Sequence, residues 1–257
     1  MSMIRQILLL SASGLLLFFA PAAGSTEDDE GFHRLFSSVL KSHVKEGLVD
    51  YAGIEGDPRF DEYLTLLAET DPDTLGTAAE KLAFWINAYN AYTIRLILDR
   101  MPVESIRDIS LGLPILFGPW SIDIANAGGG VYTLNAVEHD IIRERFADPR
   151  IHFALVCAAI GCPSLRAEAY EGSRLDEQLE DETRRFITDP AKNRFEVAQR
   201  RVRLSEIFSW YASDFEEQAG SVTEFIAGYV SSEAAAMLRS GEFDLEYLPY
   251  DWSLNSR

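Results

Sequence analysis

Thr77-Ala-Ala-Glu-Lys-Leu-Ala-Phe-Trp-Ile-Asn-Ala-Tyr-Asn-Ala-Tyr-Thr-Ile-Arg-Leu-Ile-Leu-Asp-Arg100 is the stretch that decides the fold. Thr77 and Glu80 have the spacing of a capping box, so a helix is predicted over Glu80 to Arg100, with Pro102 stopping it. One stripe of that helix carries Leu82, Trp85, Ile86, Tyr89, Thr93 and Leu96; a second carries Phe84, Asn87, Asn90, Ala91, Ile94 and Leu98. A helix apolar on both sides is buried, so it must run through the centre of the molecule.

On the N-terminal side, Phe32, Leu35, Phe36, Val39, Leu40 and Val44 recur at helical spacing and predict a helix over residues 31–46. Residues 47–51 read as extended, and Asp61 to Glu69 as a second helix facing inward with Tyr63, Leu64 and Leu67. On the C-terminal side, Trp120 to Ile124 and Val131 to Thr133 read as strands joined by the Gly128-Gly129-Gly130 run; no Walker lysine follows, so a hairpin is favoured over a phosphate loop. Asn135 to Glu138 opens a helix reaching Phe146, and the apolar run Ile151 to Cys157 reads as a central strand. Ser173 to Asp176 caps a helix to Ile187, Arg194 to Val197 and Arg201 to Leu204 form a hairpin, and Ser205 caps a helix with Ile207, Phe208, Trp210 and Tyr211. One more helix spans Val222 to Leu238 before an extended tail, Glu246 to Leu254. The expected class is α+β: a mostly helical single domain, residues 31–257, around a small β-sheet with a buried central helix.

The N-terminus has the order of a secretory signal. Arg5 supplies the positive region, Ile7 to Ala20 an apolar run of about fourteen residues, and Pro21 to Gly24 the small residues before cleavage. Residues 1–24 are therefore expected to be a signal peptide and 25–30 an acidic leader, and the protein is expected to be exported, periplasmic or secreted. The apolar run is shorter than the ~20 residues of a membrane span, and no span is expected in the mature chain. The formal charge is −18, or −19 without Arg5. Such a chain is a poor partner for nucleic acid, leaving a small molecule or a protein of unknown identity.

Arg150-Ile-His-Phe-Ala-Leu-Val-Cys-Ala-Ala-Ile-Gly-Cys-Pro-Ser-Leu-Arg166 holds both cysteines of the chain, Cys157 and Cys162. Four readings stand open: a disulfide worth about 2 kcal/mol, a reactive thiol, two inert buried thiols, or a metal site. A zinc site wants about four convergent ligands, and two cysteines with scattered histidines are a weak signal. No metal and no cofactor is expected.

Several motifs stand in a fixed order: Lys81 to Asn90, Ser105 to Asp108, Gly118-Pro119-Trp120, Thr133 to His139, His152 to Leu165, and the closing Tyr250-Asp-Trp-Ser-Leu-Asn255. With them the chain closely resembles the domain-of-unknown-function family 547, from about Val49 to Asn255. The resemblance supports the fold and export, and it carries no reaction.

A thiol nucleophile needs a base within hydrogen-bond reach, about 3 Å. In a strand His152 and Cys157 point to opposite faces and lie roughly 16 Å apart, which disfavours His152. His139, near a helix start, is the better base, or else a solvated surface residue; His152 reads otherwise as a hydrogen-bonded core histidine. Glu138 occupies the third position of a capping box with Asn135, or serves as a second acid or base. His33 and His43 read as surface groups. Asn87 and Asn90 sit on a buried stripe, where an amide without partners costs about 1–3 kcal/mol. They either tether loops or orient a catalytic histidine.

Two functions follow. One is an envelope module that binds a ligand or partner, with a structural Cys157/Cys162 pair and an aromatic patch at Tyr250 and Trp252. The alternative is a thiol-dependent hydrolase or acyl transferase using Cys157 or Cys162, His139, and Asn87 or Asn90. Any cleft is expected where the Cys157–Leu165 turn, the helix start at Asn135–His139 and the Asn87/Asn90 face converge.

Overall fold

The computed structural model describes residues 26–109 and 118–257; the expected signal peptide lies outside the described residues. The chain is a mostly helical α+β protein. Helix α1 (Thr26–His43) leads into a two-residue pair, β1 (Val44–Lys45) with β2 (Leu48–Val49). Residues 26–30 of the segment read as an acidic leader belong to α1. Helices α2 (Tyr51–Glu55) and α3 (Pro58–Glu69) follow.

Helix α4 (Ala78–Leu98) is the central element, and the Thr77/Glu80 capping box is present in both directions. All but four of its residues are buried, as two apolar stripes require: α1, α3, the hairpin of β3 (Asp123–Ala127) with β4 (Gly130–Thr133), and the 150–170 segment surround it. The hairpin turns at Gly128 and Gly129, whose φ values of 60° and 72° favour glycine. Trp120 lies in a 3₁₀ turn ahead of β3, not in a strand.

The helix after β4 is not an ordinary α-helix. Ala136–Arg143 forms a π-helix, preceded by α-helical Leu134 and Asn135 and followed by α5 (Glu144–Phe146). Asn135 makes no cap; Thr133 Oγ1 accepts from Ala136 N–H instead. The capping-box role expected for Glu138 is therefore absent, and its carboxylate is available for another partner.

The expected central strand over Ile151–Cys157 is not a strand either. Pro149–Phe153 is a 3₁₀ helix, with Asp148 accepting from Arg150 N–H at its start. A short apolar run reads alike in both conformations. The Asp-Pro start was the discriminating signal.

A second apolar cluster packs beside the first. It draws on the end of α6 (Leu175–Thr188), on β5 (Arg194–Glu196) and β6 (Arg201–Ser205), and on helices α7 (Ile207–Trp210), α8 (Ala212–Ala219), α9 (Val222–Ala227) and α10 (Ser232–Ser240); β7 (Asp244–Leu248) extends the sheet of β5 and β6. The turn before α6 lacks a side-chain cap, and the single helix expected over Val222–Leu238 is two helices, α9 and α10. Among the described residues the strands thus fall into three small sheets; β7 pairs parallel to β6, giving the tail a strand of its own.

His33 and His43 are not surface groups. His33 is fully buried with Nδ1 2.8 Å from Tyr63 Oη, and burial lowers its pKa to about 3. His43 Nε2 meets Asp57 at 3.0 Å.

Candidate functional site

The seam between the two apolar clusters holds a pocket of about 310 Å³, within the size range of small-molecule sites. Cys157, Cys162 and Leu155 line it from the cysteine loop; Asn135, Glu138 and His139 from the π-helix; His152 from the 3₁₀ turn. Tyr89 comes from α4, Ile207, Trp210 and Tyr211 from α7 and its end, and Trp120, Tyr250 and Trp252 complete the aromatic wall.

The cysteine loop is shaped by backbone. Ala158 takes a left-handed conformation, φ 61°, which folds Cys162 back toward Cys157. The C-terminal tail clamps the loop: Ile160 N–H donates to Ser253 O (2.8 Å), Gly161 N–H to Asp251 O (2.7 Å) and Asn255 N–H to Ala158 O (3.1 Å). A Cβ at Gly161 would meet Asp251 N and O at 2.9 Å, so only glycine allows that approach. Lys192 Nζ donates to the carbonyls of Ile160 and Cys162.

Both cysteines are free thiols with Sγ atoms 2.8 Å apart, not at disulfide distance. Cys157 N–H donates to Cys162 Sγ at 2.8 Å, and Tyr250 Oη lies 3.3 Å from Cys157 Sγ. The hydrogen bond between the sulfurs, followed by burial, pushes the Cys157 thiol well up. Burial also pushes Cys162 up, but the Cys157 thiol and N–H, Tyr250 and the Lys192 charge outweigh it and bring Cys162 down.

Across the pocket, His152 Nε2 lies 2.8 Å from Asp214 Oδ2. Phe153 and Phe215, the residues next to them, pack at 5.8 Å between ring centroids and fix this pairing. Burial lowers the His152 pKa against the opposing pull of Asp214. Burial raises that of Asp214, but the hydrogen bonds from His152 and Arg143 hold it well below the usual carboxylate range. A neutral imidazole that donates Nε2–H to a carboxylate carries its lone pair on Nδ1. The His152 ring stacks on Tyr211 at 3.8 Å, and Tyr211 Oη donates to Glu138 Oε1 at 2.7 Å.

Arg143 bridges the second histidine. Its Nε and Nη2 donate to Asp214, and its Nη1 lies 3.0 Å from His139 Nδ1. Arginine only donates, so His139 Nδ1 accepts and the ring is held as the Nε2–H tautomer. His139 is thereby arranged as a hydrogen-bond donor rather than a base. The sequence favours His139 over His152 as a base; in the structure His152 is the one hydrogen-bonded to a carboxylate, and His139 meets Arg143. The strand geometry behind that preference does not exist, and the 3₁₀ turn puts His152 on the same pocket as Cys157.

Asn87 and Asn90 do not line this pocket. Asn87 Nδ2 donates to Tyr170 O (2.8 Å) and its Oδ1 accepts from Tyr170 N–H (2.9 Å). Asn90 does the same for Ala154 O (2.9 Å) and Val156 N–H (2.9 Å). Each amide behaves as a strand neighbour for irregular backbone. Of the two roles open to them, their contacts are those of tethers, with Asn90 fixing the segment that enters Cys157.

Asp214, Arg143 and Tyr211 were missed by sequence reasoning. Asp214 lies 62 residues from its histidine, and no local pattern marks it. Among the described residues, no group of three or more His, Cys, Asp or Glu side chains is placed to hold a metal ion. No helix of the described residues is long and apolar enough to cross a membrane.

The fold and pocket define an α+β protein with a paired-thiol cavity. Residues 73–187 match the family model described as "Protein of unknown function, DUF547". The match contains both cysteines, Glu138, His139 and His152, and ends before Tyr211, Asp214 and Tyr250. No curated protein and no solved structure matches the chain.

Proposed function

We infer that the pocket is the active site of a thiol-dependent enzyme that transfers or hydrolyses an acyl group. The observation that supports this is the shared pocket of Cys157, an Asp214-held His152 with its lone pair on Nδ1, and a His139 held as Nε2–H. In this reading Cys157 Sγ attacks the acyl carbon and His152 Nδ1 takes the thiol proton. Asp214 keeps the tautomer that makes this possible, the role a carboxylate has in Ser-His-Asp sites. His139 Nε2–H donates to the developing oxyanion, where a fixed donor is worth ~3 kcal/mol. A second group, the leaving amine or alcohol, takes the proton back from His152; water then releases the acyl group. The role requires Nδ1 and Sγ to come within about 3 Å in the working complex.

The experiment is hydrolysis of a small activated ester, followed for a burst of acyl-enzyme, in the wild type and in Cys157→Ala and His152→Ala. A burst lost in both variants supports the reading; hydrolysis that persists in Cys157→Ala refutes it.

A second reading is favoured by the aromatic wall. Trp210 is 46% exposed and packs on Tyr250 and Trp252 at 4.8 and 5.8 Å. Such a surface binds a ligand whether or not chemistry follows, and it suits an envelope binding module. Export belongs to either reading and rests on the N-terminal sequence: intact mass of protein recovered from the periplasm should correspond to cleavage near Gly24, and a chain beginning at Met1 would contradict it.

A further inference from the structure

Acyl chemistry at Cys157 gives Cys162 no chemical step of its own. Cys162 is only 4% exposed, yet its sulfur stands 2.8 Å from that of Cys157 and receives the Cys157 N–H. The loop that holds both is pinned by the tail at Ser253, Asp251 and Asn255 and by Lys192 from behind. A disulfide needs a separation of about 2.05 Å, less than about 1 Å of approach from here. Both cysteines border the pocket; Cys157 is the more exposed of the two and Cys162 is buried beside it. That is the arrangement of an attacking and a resolving thiol.

We propose that this dithiol carries a second activity: thiol–disulfide exchange with a small disulfide that enters the aromatic-walled pocket. Cys157 Sγ attacks one sulfur of R–S–S–R; the Cys157–S–S–R bond forms, and the first R–S⁻ leaves and takes up the Cys157 proton. Cys162 Sγ then attacks the Cys157 sulfur, the mixed disulfide breaks, and the second R–S⁻ leaves with the Cys162 proton. Two protein thiols are oxidised, one small disulfide is reduced to two thiols, and no other electron donor or acceptor enters. Exchange runs through thiolate; the Tyr250 hydroxyl, 3.3 Å from Cys157 Sγ, favours it on the attacking sulfur, and the Cys157 N–H and the Lys192 ammonium favour it on Cys162. The proposal does not rest on the acyl-transfer reading. If both hold, the closed pair also switches acyl chemistry off, because Cys157 then has no free sulfur.

The test uses the reduced full chain with 2-hydroxyethyl disulfide, read by intact mass and by the number of thiols that remain alkylatable. The wild type should lose both alkylatable thiols while its mass falls by two hydrogens only. Cys162→Ser should stop at a mixed disulfide on Cys157, and Cys157→Ser should leave Cys162 unmodified. Cys162→Ala gives the same arrest if serine at the buried site impairs folding. A mixed disulfide that persists in the wild type, modification of Cys162 in Cys157→Ser, or survival of both wild-type thiols would overturn the proposal. No ester is involved, so failure here leaves the acyl-transfer reading standing, and failure of ester hydrolysis leaves this one standing.

Discussion

Two regions of this protein bury polar side chains, and they bury them differently. On α4, Asn87 and Asn90 each spend both amide atoms on the backbone of a neighbouring segment. Beside the seam pocket, His152, Asp214, Arg143 and His139 spend theirs on one another, and the two histidines line the cavity. The first pattern is closed: every polar atom has a fixed partner, and the result is stability. The second is open on one side: ionisable groups set each other's tautomers and present the remaining nitrogens for use. Buried polarity alone therefore does not mark a functional site. What the partners are, and whether a cavity adjoins them, does.

The sharpest break between the regions is Asp214→Asn. An asparagine can hold His152 in the wrong tautomer, and the rate of ester hydrolysis should fall by on the order of 10³–10⁴-fold. Far-ultraviolet circular dichroism should stay that of the wild type. A loss below tenfold would show that the pair is structural.

Asn90→Leu and Asn87→Leu should show the opposite behaviour. Each leaves a buried carbonyl and a buried N–H without partners, costing about 3 kcal/mol. For a domain of this size that lowers Tm by roughly 6–12 °C. Thermal melts that stay within about one degree of the wild type would contradict the tethering role.

A third difference is in pH. The folded pKa of His33 is lowered from 6.5 to about 3 by burial. The unfolded chain therefore binds a proton below about pH 6.5 that the folded chain refuses, so the stability His33 contributes is present above that pH and lost as pH falls towards 3. Between pH 7 and 5 this amounts to about 2 kcal/mol. In denaturant titrations at the two pH values, His33→Gln should narrow the gap by that amount. An unchanged gap would place the acid sensitivity elsewhere.

The smallest effect expected is that of Gly161→Ala. The added methyl meets the Asp251 backbone and should cost about 1 kcal/mol by overpacking. Its more informative readout is Cys157: loosening the tail from the loop should change its alkylation rate. A variant that melts like the wild type and alkylates at the same rate would mean that the tail does not set the loop.

The same contrast explains what could be read from sequence. The α4 region was legible because its signals are local: a capping box at Thr77 and Glu80, two apolar stripes and a stop at Pro102. The choice between tether and catalyst for its asparagines needed the backbone of residues 154–156 and 170, which lies far away in sequence. At the pocket, Cys157, Cys162, Glu138, His139 and His152 were found, but not how they work together. A six-residue apolar run was read as a strand although Asp148 and Pro149 mark a helix start. The π-helix has no local signature that separates it from an α-helix, and it removed the capping role assumed for Glu138. Asp214 becomes visible only when Phe153 meets Phe215 in the second apolar cluster.

The central claim, that Cys157 is a nucleophile presented in a working pocket, is tested most directly by alkylating the reduced native protein with iodoacetamide and mapping the label. The account predicts that Cys157 is modified first, with one label per chain abolishing ester hydrolysis, and that Cys162 reacts only after unfolding. Label appearing on Cys162 first, or hydrolysis continuing after Cys157 is fully modified, would contradict it.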